Sequence, residues 1–440
     1  MADKLKVVKY SFPWLAILKI GQDPLGFLNK HHKDTGKLYR VDAPIKFAVV
    51  SDHENIRHIL QKNWRSYSKG TAYDGFRLML GNGILTSSGD EWKRNRKLIK
   101  PGFTKEHINT IASEINTQAI ELCANLKLKE DAGEFFEAKN EMILFSLSVI
   151  SKIMLGGDCA NRYQSKLLPI IEREYDFVLK RNLSILKLPM WIPTRRHLHF
   201  HESKKEMDTL IYEIIEEKKK QNDETIYSMV VHAKDEDGLG MSDLQLRDEF
   251  ITLYATGFET TGSALVWTLL LLSRHTEIQE RLFGSIKSID PNDTASVLKN
   301  ELLNAVVKES LRIYPPAWVI TRKCEEEDEI DGVRIPKNTN FLICIYNAHR
   351  DEDYWENPDQ FNPDRFLNTE KDNPSYLPYG VGPRMCMGNH ISNMEIVMTV
   401  FQMVLRFQIS MGKEHDFDVD PKITLMPKGA VWLKTTSRAN

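Results

Sequence analysis

The stretch Tyr376 to His390, YLPYGVGPRMCMGNH, sets one cysteine, Cys386, among three glycines, two prolines and an arginine. A thiolate needs positive potential and hydrogen-bond donors, and the start of a helix supplies both. Gly382 and Gly388 let main chain approach a flat ligand where a Cβ would collide. Arg384 is close enough to pair with an acidic group on such a ligand. A cysteine by itself is more often a small buried hydrophobe. Zinc would take Cys386 with His390 one turn on, but two donors are too few.

Glu309 and Arg312 stand three apart, on one face of a helix, where opposite charges meet. Alone, such a pair is a solvated bridge of little worth. Glu259 and Thr260 sit inside the apolar run Phe250 to Ser273. A threonine hydroxyl in a helix bonds back to the carbonyl four residues earlier, here that of Thr256, and bends the helix. Gly257 leaves space at the same point. His197, His199 and His201 alternate and would share a face of a strand. They follow Pro193, Arg195 and Arg196 in a stretch that reads as a helix connection, so metal binding is not expected there. Asn82-Gly83 is a turn signal, not a phosphate loop.

The elements that must position these residues are mostly helical. Short strand-like runs, LYRVDA and KFAVVSD, precede a helical stretch from His53 to Gln61. From Glu91 to about Lys218 the pattern is helical, broken at LPMWIPTRR. VHAKDEDGLG reads as a linker, and Ser242 with Gln245 forms a capping box for a helix running to about His275. A helix over about Leu298 to Ile313 stops at Pro315-Pro316. Strand signals follow in WVITRKC, VRIPKN and NFLICIYN, with a turn at Asp331-Gly332. The cysteine loop leads into a helix from about Met387 to Phe407. There is no alternating βαβ pattern, so a doubly wound nucleotide-binding fold is excluded. The expected class is mainly α with small β-sheets.

With 42% hydrophobic and 27% charged residues in 440, the chain has the composition of a globular protein. A net charge of -2 gives no global case for nucleic-acid binding. The five cysteines, Cys123, Cys159, Cys324, Cys344 and Cys386, form no C-x-x-C, which fits a reducing compartment and excludes a c-type haem attachment. Phe250 to Ser273 is long enough on paper to span a bilayer. Its threonines and glycines, and its charged helical flanks, make it the central helix of a large core instead.

Tyr379, Gly382, Arg384, Cys386 and Gly388 form Y-x-x-G-x-R-x-C-x-G, which resembles the F-x-x-G-x-R-x-C-x-G signature of the cytochrome P-450 (haem-thiolate monooxygenase) family. Further landmarks follow the family's order. Trp92 and Arg96 look like its W-x-x-x-R, Thr256 to Thr261 like its oxygen-activation motif, Glu309 to Arg312 like its E-x-x-R, and Pro363 to Phe366 like its P-x-R-F. The resemblance, to the soluble bacterial type, implies one haem domain over residues 1–440 with a long central helix and no fused reductase. It implies haem b (iron protoporphyrin IX) ligated by Cys386 and O2 as co-substrate. It makes Trp92, Arg96, Arg322 and Arg384 partners of the haem propionates, Gly257, Tyr379 and Gly388 neighbours of the cofactor, and Thr260 with Glu259 the proton-relay pair. Glu309, Arg312 and Arg365 become a structural network behind the cysteine loop.

Five positions depart from the family pattern. Tyr379 replaces the usual Phe, and its hydroxyl either tunes the iron potential or points outward. Thr256 stands where Ala or Gly is usual. Ile391 and Ser392 replace Phe-Ala, with packing consequences only expected. Asn338 stands where Gly is frequent.

The implied reaction inserts one atom of O2 into a small organic substrate, by C–H hydroxylation or oxidative O-demethylation. The resemblance implies electrons from a ferredoxin or flavodoxin-type donor with its NAD(P)H-dependent reductase; Lys93, Arg94, Lys97 and Lys100 form either its docking patch or a solvated basic face. A peroxide-using or rearranging enzyme, or a haem-based sensor, are the alternatives; neither explains the Glu259-Thr260 pair. By resemblance Tyr73, Phe76, Trp191, Thr256, Ala317, Trp318 and Val319 line the substrate pocket, within wider stretches from Thr71 to Leu85, Phe177 to Trp191 and Met426 to Ala430. Lipids, terpenoids, aromatics or a methylated sugar are the candidate substrates. A cytoplasmic monomer without a transmembrane anchor or nucleic-acid partner is expected.

Overall fold

The computed structural model describes residues 5–44, 46–184, 187–367 and 373–438. Residues 185 and 186, within one stretch assigned to the pocket, lie outside it. The central helix, Asp243–Arg274, carries both halves of the capping box: Ser242 Oγ accepts the Gln245 N–H, and the Gln245 side chain accepts the Ser242 N–H. From Phe250 to Ser273 it is buried on nearly all sides, as a helix without a polar face must be. Among the described residues no helix is long and apolar enough to cross a membrane.

The central helix crosses Ala138–Leu155 closely. A Cβ on Gly262 would lie 2.8 Å from Ile143 Cδ1 and 3.2 Å from the Met142 carbonyl. Gly257 faces the same neighbour, where a Cβ would stand 3.0 Å from Ile150. The missing Cβ of Gly257 thus serves helix packing on that side. Gly157–Leu183 and Arg195–Lys220 form a helical pair beside the central helix.

Helix Glu301–Ile313 is preceded by a separate turn, Thr294–Lys299, because the Asn300 side chain caps the Leu303 N–H at 2.9 Å and divides what the periodicity joins. The last long helix, Asn389–Arg406, begins three residues after Cys386.

A six-stranded sheet runs in the order Lys6–Val8, Leu38–Val41, Phe47–Val50, Asn340–Cys344, Val319–Cys324, Tyr67–Lys69, so early and late parts of the chain share one sheet. Small two- and three-stranded sheets complete the fold. Asp331 and Gly332 both have positive φ, 53° and 73°, as the tight turn between Asp328–Ile330 and Val333–Ile335 requires. Asn338 has φ 67°, which explains why glycine suits that position.

Candidate active site

Cys386 is the one exposed cysteine; the other four are buried. Its N–H donates to Tyr379 O at 3.0 Å, and Met385 N–H donates to Gly382 O at 3.0 Å, which closes the loop. Gly382 has φ +79°, and a Cβ there would lie 2.2 Å from Leu60 O. Its close neighbour is thus the chain's own backbone, so this glycine shapes the loop rather than clearing room for a ligand. Gly388 has an ordinary φ of -82° with open space on its Cβ side.

The sulfur is accessible, yet it lies so deep among protein atoms that burial raises its pKa above 9.0. The Gly388 N–H and the Arg96 charge pull it down by less. Protein alone therefore favours the thiol, and a bound metal ion is the positive centre that makes such a group a thiolate.

Behind the loop, Arg312 donates to both Glu309 oxygens at 2.7 and 2.8 Å, with neither residue exposed. Arg365 Nε and the Asn362 N–H also donate to Glu309 Oε1, at 3.2 and 2.9 Å. Arg312 reaches on to His349 O. His349 joins this cluster to the cysteine segment: its Nε2 accepts the Leu377 N–H at 2.8 Å, so Nδ1 carries the proton and donates to Arg312 O at 3.0 Å. Burial, helped by Arg312, pushes its pKa down to about 3 and keeps it neutral.

In front of the loop the cations gather. Arg384 lies 4.4 Å over the Trp92 ring and donates to Ser87 O at 3.0 Å. Arg96, one turn after Trp92 on helix Gly89–Ile99, lies over the same ring and donates to Met385 O at 3.4 Å. Arg322 is 5% exposed, so it faces inward from its strand. Lys69 is its direct cross-strand partner. Burial, then Arg322 and Arg384, depress the Lys69 pKa well below its usual range; burial, then Arg322, brings Arg384 down to about 10. Among the described residues no carboxylate pairs with Lys69, Arg96, Arg322 or Arg384. A cluster of part-buried cations around the buried Arg322, without acids and beside one accessible thiol, fits an iron porphyrin, whose two carboxylates would discharge it.

On the central helix three threonines bond back in series. Thr256 Oγ1 donates to Thr252 O at 2.6 Å, Thr260 Oγ1 to Thr256 O at 3.0 Å, and Thr261 Oγ1 to Gly257 O at 3.1 Å. Glu259 Oε1 accepts from Thr424 Oγ1 at 2.9 Å, and burial pushes its carboxyl up to about 7. Thr424 is held there because the adjoining Leu425 carbonyl accepts from Ser263 Oγ and Trp267 Nε1 of the central helix. Upstream, Asp248 and Glu249 accept the N–H groups of Asn82 and Ile84, at 2.7 and 2.8 Å, and so fasten that loop to the same helix.

The expected pocket wall is only partly assembled. Trp191 is 81% exposed and stands on the surface, because the connection that carries it runs outside the helical pair. Trp318 is packed in the core beneath the sheet, its Nε1 donating to Lys422 O at 3.1 Å. Tyr73 belongs with the cations, touching Arg322 and lying under Lys69 Nζ at 4.6 Å. Phe76 packs on the main core, Val319 is half-buried and Ala317 is exposed. The basic face after Trp92 is largely neutralised: Lys93 pairs with Asp90, Arg94 with Asp235 and Lys97 with Glu236, which leaves Lys100. His197, His199 and His201 lie on helix Arg195–Lys220, and His197 and His201 approach main-chain carbonyls. Among the described residues there is no cluster of metal-ligating side chains.

Lys69, His349, Ser392 and Thr424 are contributors that the motifs do not reveal. The one available signal was the departure of Ser392 from the family pattern.

A mainly helical fold that presents one accessible thiol, an inward cluster of unpaired cations and an acid–threonine pair is that of a haem-thiolate oxygenase. The family model described as Cytochrome P450 matches residues 9–433. Rat cytochrome P450 3A9 is 28% identical over 92% of this chain and 86% of its own length. Cytochrome P450 4d2 of Drosophila melanogaster is 28% identical, covering 88% and 85%. The Arabidopsis thaliana protein LUTEIN DEFICIENT 5, chloroplastic, is 26% identical, covering 86% and 68%. The chain belongs to the cytochrome P450 family. It is accordingly a monooxygenase that binds thiolate-ligated haem b, uses O2 as co-substrate, and needs a redox partner and a small-molecule substrate.

Proposed function

We propose that this chain, as one haem domain over residues 1–440, hydroxylates a C–H bond or removes an O-methyl group by oxidising it. Cys386 ligates the iron, while Arg96, Arg322, Arg384, Trp92 and Lys69 hold the propionates. The bound haem supplies dioxygen activation and transfer of one oxygen atom, its sulfur ligand favouring O–O cleavage. Glu259 takes protons from solvent and passes them on. Its Oε1 is fixed by Thr424, so Oε2 is the atom that carries the proton. A carboxyl held near 7 is matched to proton transfer at neutral pH. Thr260 directs its own proton at Thr256 O and keeps lone pairs for the delivered one. The Thr256 hydroxyl is likewise spent on Thr252 O, so it adds an acceptor but no free donor to the groove.

A ferredoxin or flavodoxin-type protein with its NAD(P)H-dependent reductase supplies the electrons, and the enzyme works as a cytoplasmic monomer. The reading rests above all on Cys386, the accessible thiol facing cations that lack acids. It is tested by the ferrous–carbon monoxide spectrum. The band of the thiolate type is expected in the parent protein and lost in Cys386→Ala; its retention in that variant overturns the reading.

A further inference from the structure

One turn before the acid–threonine pair, the central helix shows a face that the proton relay does not use. Leu253, Thr256 and Thr260 are spaced i, i+3 and i+7, so they share one side of the helix. Each keeps accessible surface, while Tyr254, Ala255 and Phe258 between them are buried. That side therefore opens on the groove that serves Thr260. Thr256 stands on it where Ala or Gly is usual in the family. Thr261 turns away, to Ser392 Oγ of helix Asn389–Arg406 at 3.0 Å.

A second wall comes from helix Gly157–Leu183. Its half-buried Tyr175 reaches across and donates its hydroxyl to Ala255 O at 2.9 Å. Thr256 Oγ1 donates to Thr252 O at 2.6 Å. The two carbonyls are three residues apart, so they hold the two hydroxyls on one side of the helix, a turn from each other. Burial, then Glu259, lifts the Tyr175 pKa well above the ordinary phenol value, so its proton stays on the oxygen. Each hydroxyl thus commits its one proton to main chain and keeps only lone pairs for a ligand. Ile84, whose N–H bonds Glu249 one turn before Leu253, adds an apolar side chain packed on the core.

We propose that Tyr175 and Thr256 are specificity-determining residues, and that the substrate carries an O–H or N–H donor on an apolar body. The proposal rests on the haem-thiolate reading above and names the substrate class of that same site: an alcohol, phenol or amide rather than a hydrocarbon or a full ether. A pair of acceptors among apolar side chains separates these by chemistry. A donor on the substrate makes a hydrogen bond there that no alkyl group can make. An ether oxygen in the same place meets lone pairs with lone pairs and is rejected. The bond also fixes how the molecule lies along the central helix, so the carbon oxidised is one at a set distance from the anchored donor.

The test titrates the ferric holoprotein with phenylimidazole, whose free nitrogen is a ligand for haem iron, and with its ortho, meta and para hydroxyphenyl and methoxyphenyl counterparts. The shift of the haem absorption band gives each dissociation constant. At least one hydroxyl isomer is expected to bind about tenfold tighter than both its methoxy counterpart and phenylimidazole, the worth of one hydrogen bond. Tyr175→Phe and Thr256→Val each cut that preference several-fold, and Thr256→Ser keeps it. Phenylimidazole itself binds the three variants as it binds the parent, because each change is nearly isosteric. Equal affinities for hydroxyl and methoxy compounds at every ring position overturn the proposal, as does a preference left unchanged in either Tyr175→Phe or Thr256→Val. Absence of the thiolate-type carbon monoxide band from the parent protein overturns the haem-thiolate reading instead, so the two failures are distinguishable.

Discussion

Lys69 stands directly opposite Arg322 where strand Tyr67–Lys69 pairs antiparallel with Val319–Cys324. Like charges in that relation repel across the ladder by roughly 0.2–1 kcal/mol, and among the described residues no acid pairs with either.

Replacing Lys69 by methionine therefore has opposite effects on two states. The apoprotein of Lys69→Met is expected to gain up to about 1 kcal/mol, while haem leaves the holoprotein several-fold faster. Apoprotein unfolding and transfer of haem to a scavenger check the pair. A destabilised apoprotein would show that Lys69 is a structural cation.

The Glu309–Arg312 pair is fully buried and bidentate. Removing one partner strands a charge, at a cost of about 3–5 kcal/mol. Glu309→Ala and Arg312→Ala are each expected to lower the urea midpoint sharply and to reduce haem content. Glu309→Met with Arg312→Leu costs less than either, and a double loss equal to the sum of the singles would contradict the account.

His349 has a folded-state pKa near 3 against an ordinary 6.5. Because the folded value is the lower one, stability falls as pH drops below 6.5 and continues to fall until about 3. The full loss is about 4–5 kcal/mol. Glutamine offers a donor and an acceptor without that titration. Urea midpoints of His349→Gln between pH 7 and 4 should decline less steeply than those of the parent; parallel declines would remove His349 as the cause.

Glu259 is raised from 4.5 to about 7, by burial against the smaller opposing effect of Thr424. Its contribution to stability is complete below pH 4.5 and is lost as pH rises through 7, a span of about 3 kcal/mol. Product formation is expected to fall through the same upper range as the relay loses its proton. Thr424→Val removes the bond that favours the carboxylate, so the falling limb moves to higher pH. Glu259→Gln loses the limb together with most of the rate. A limb unmoved in Thr424→Val would place the controlling group elsewhere.

What could be read from the sequence was local. The Ser242–Gln245 cap, the extent of the central helix and the Asp331–Gly332 turn each depend on residues a few positions apart, and the structure contains all three. Lys69 and Thr424 escaped because strand pairing and a C-terminal hairpin bring them in from distant segments. Trp318 and Trp191 were misplaced because aromatic character does not distinguish pocket wall from core or from surface.

The near contact between Gly382 and Leu60 also orders events during synthesis. Leu60 leaves the ribosome early and Gly382 late, and the loop can fold down only onto a carbonyl already in place. The sulfur consequently reaches its final setting only after Leu60 has found its own, so pigment capture waits on two segments more than three hundred residues apart.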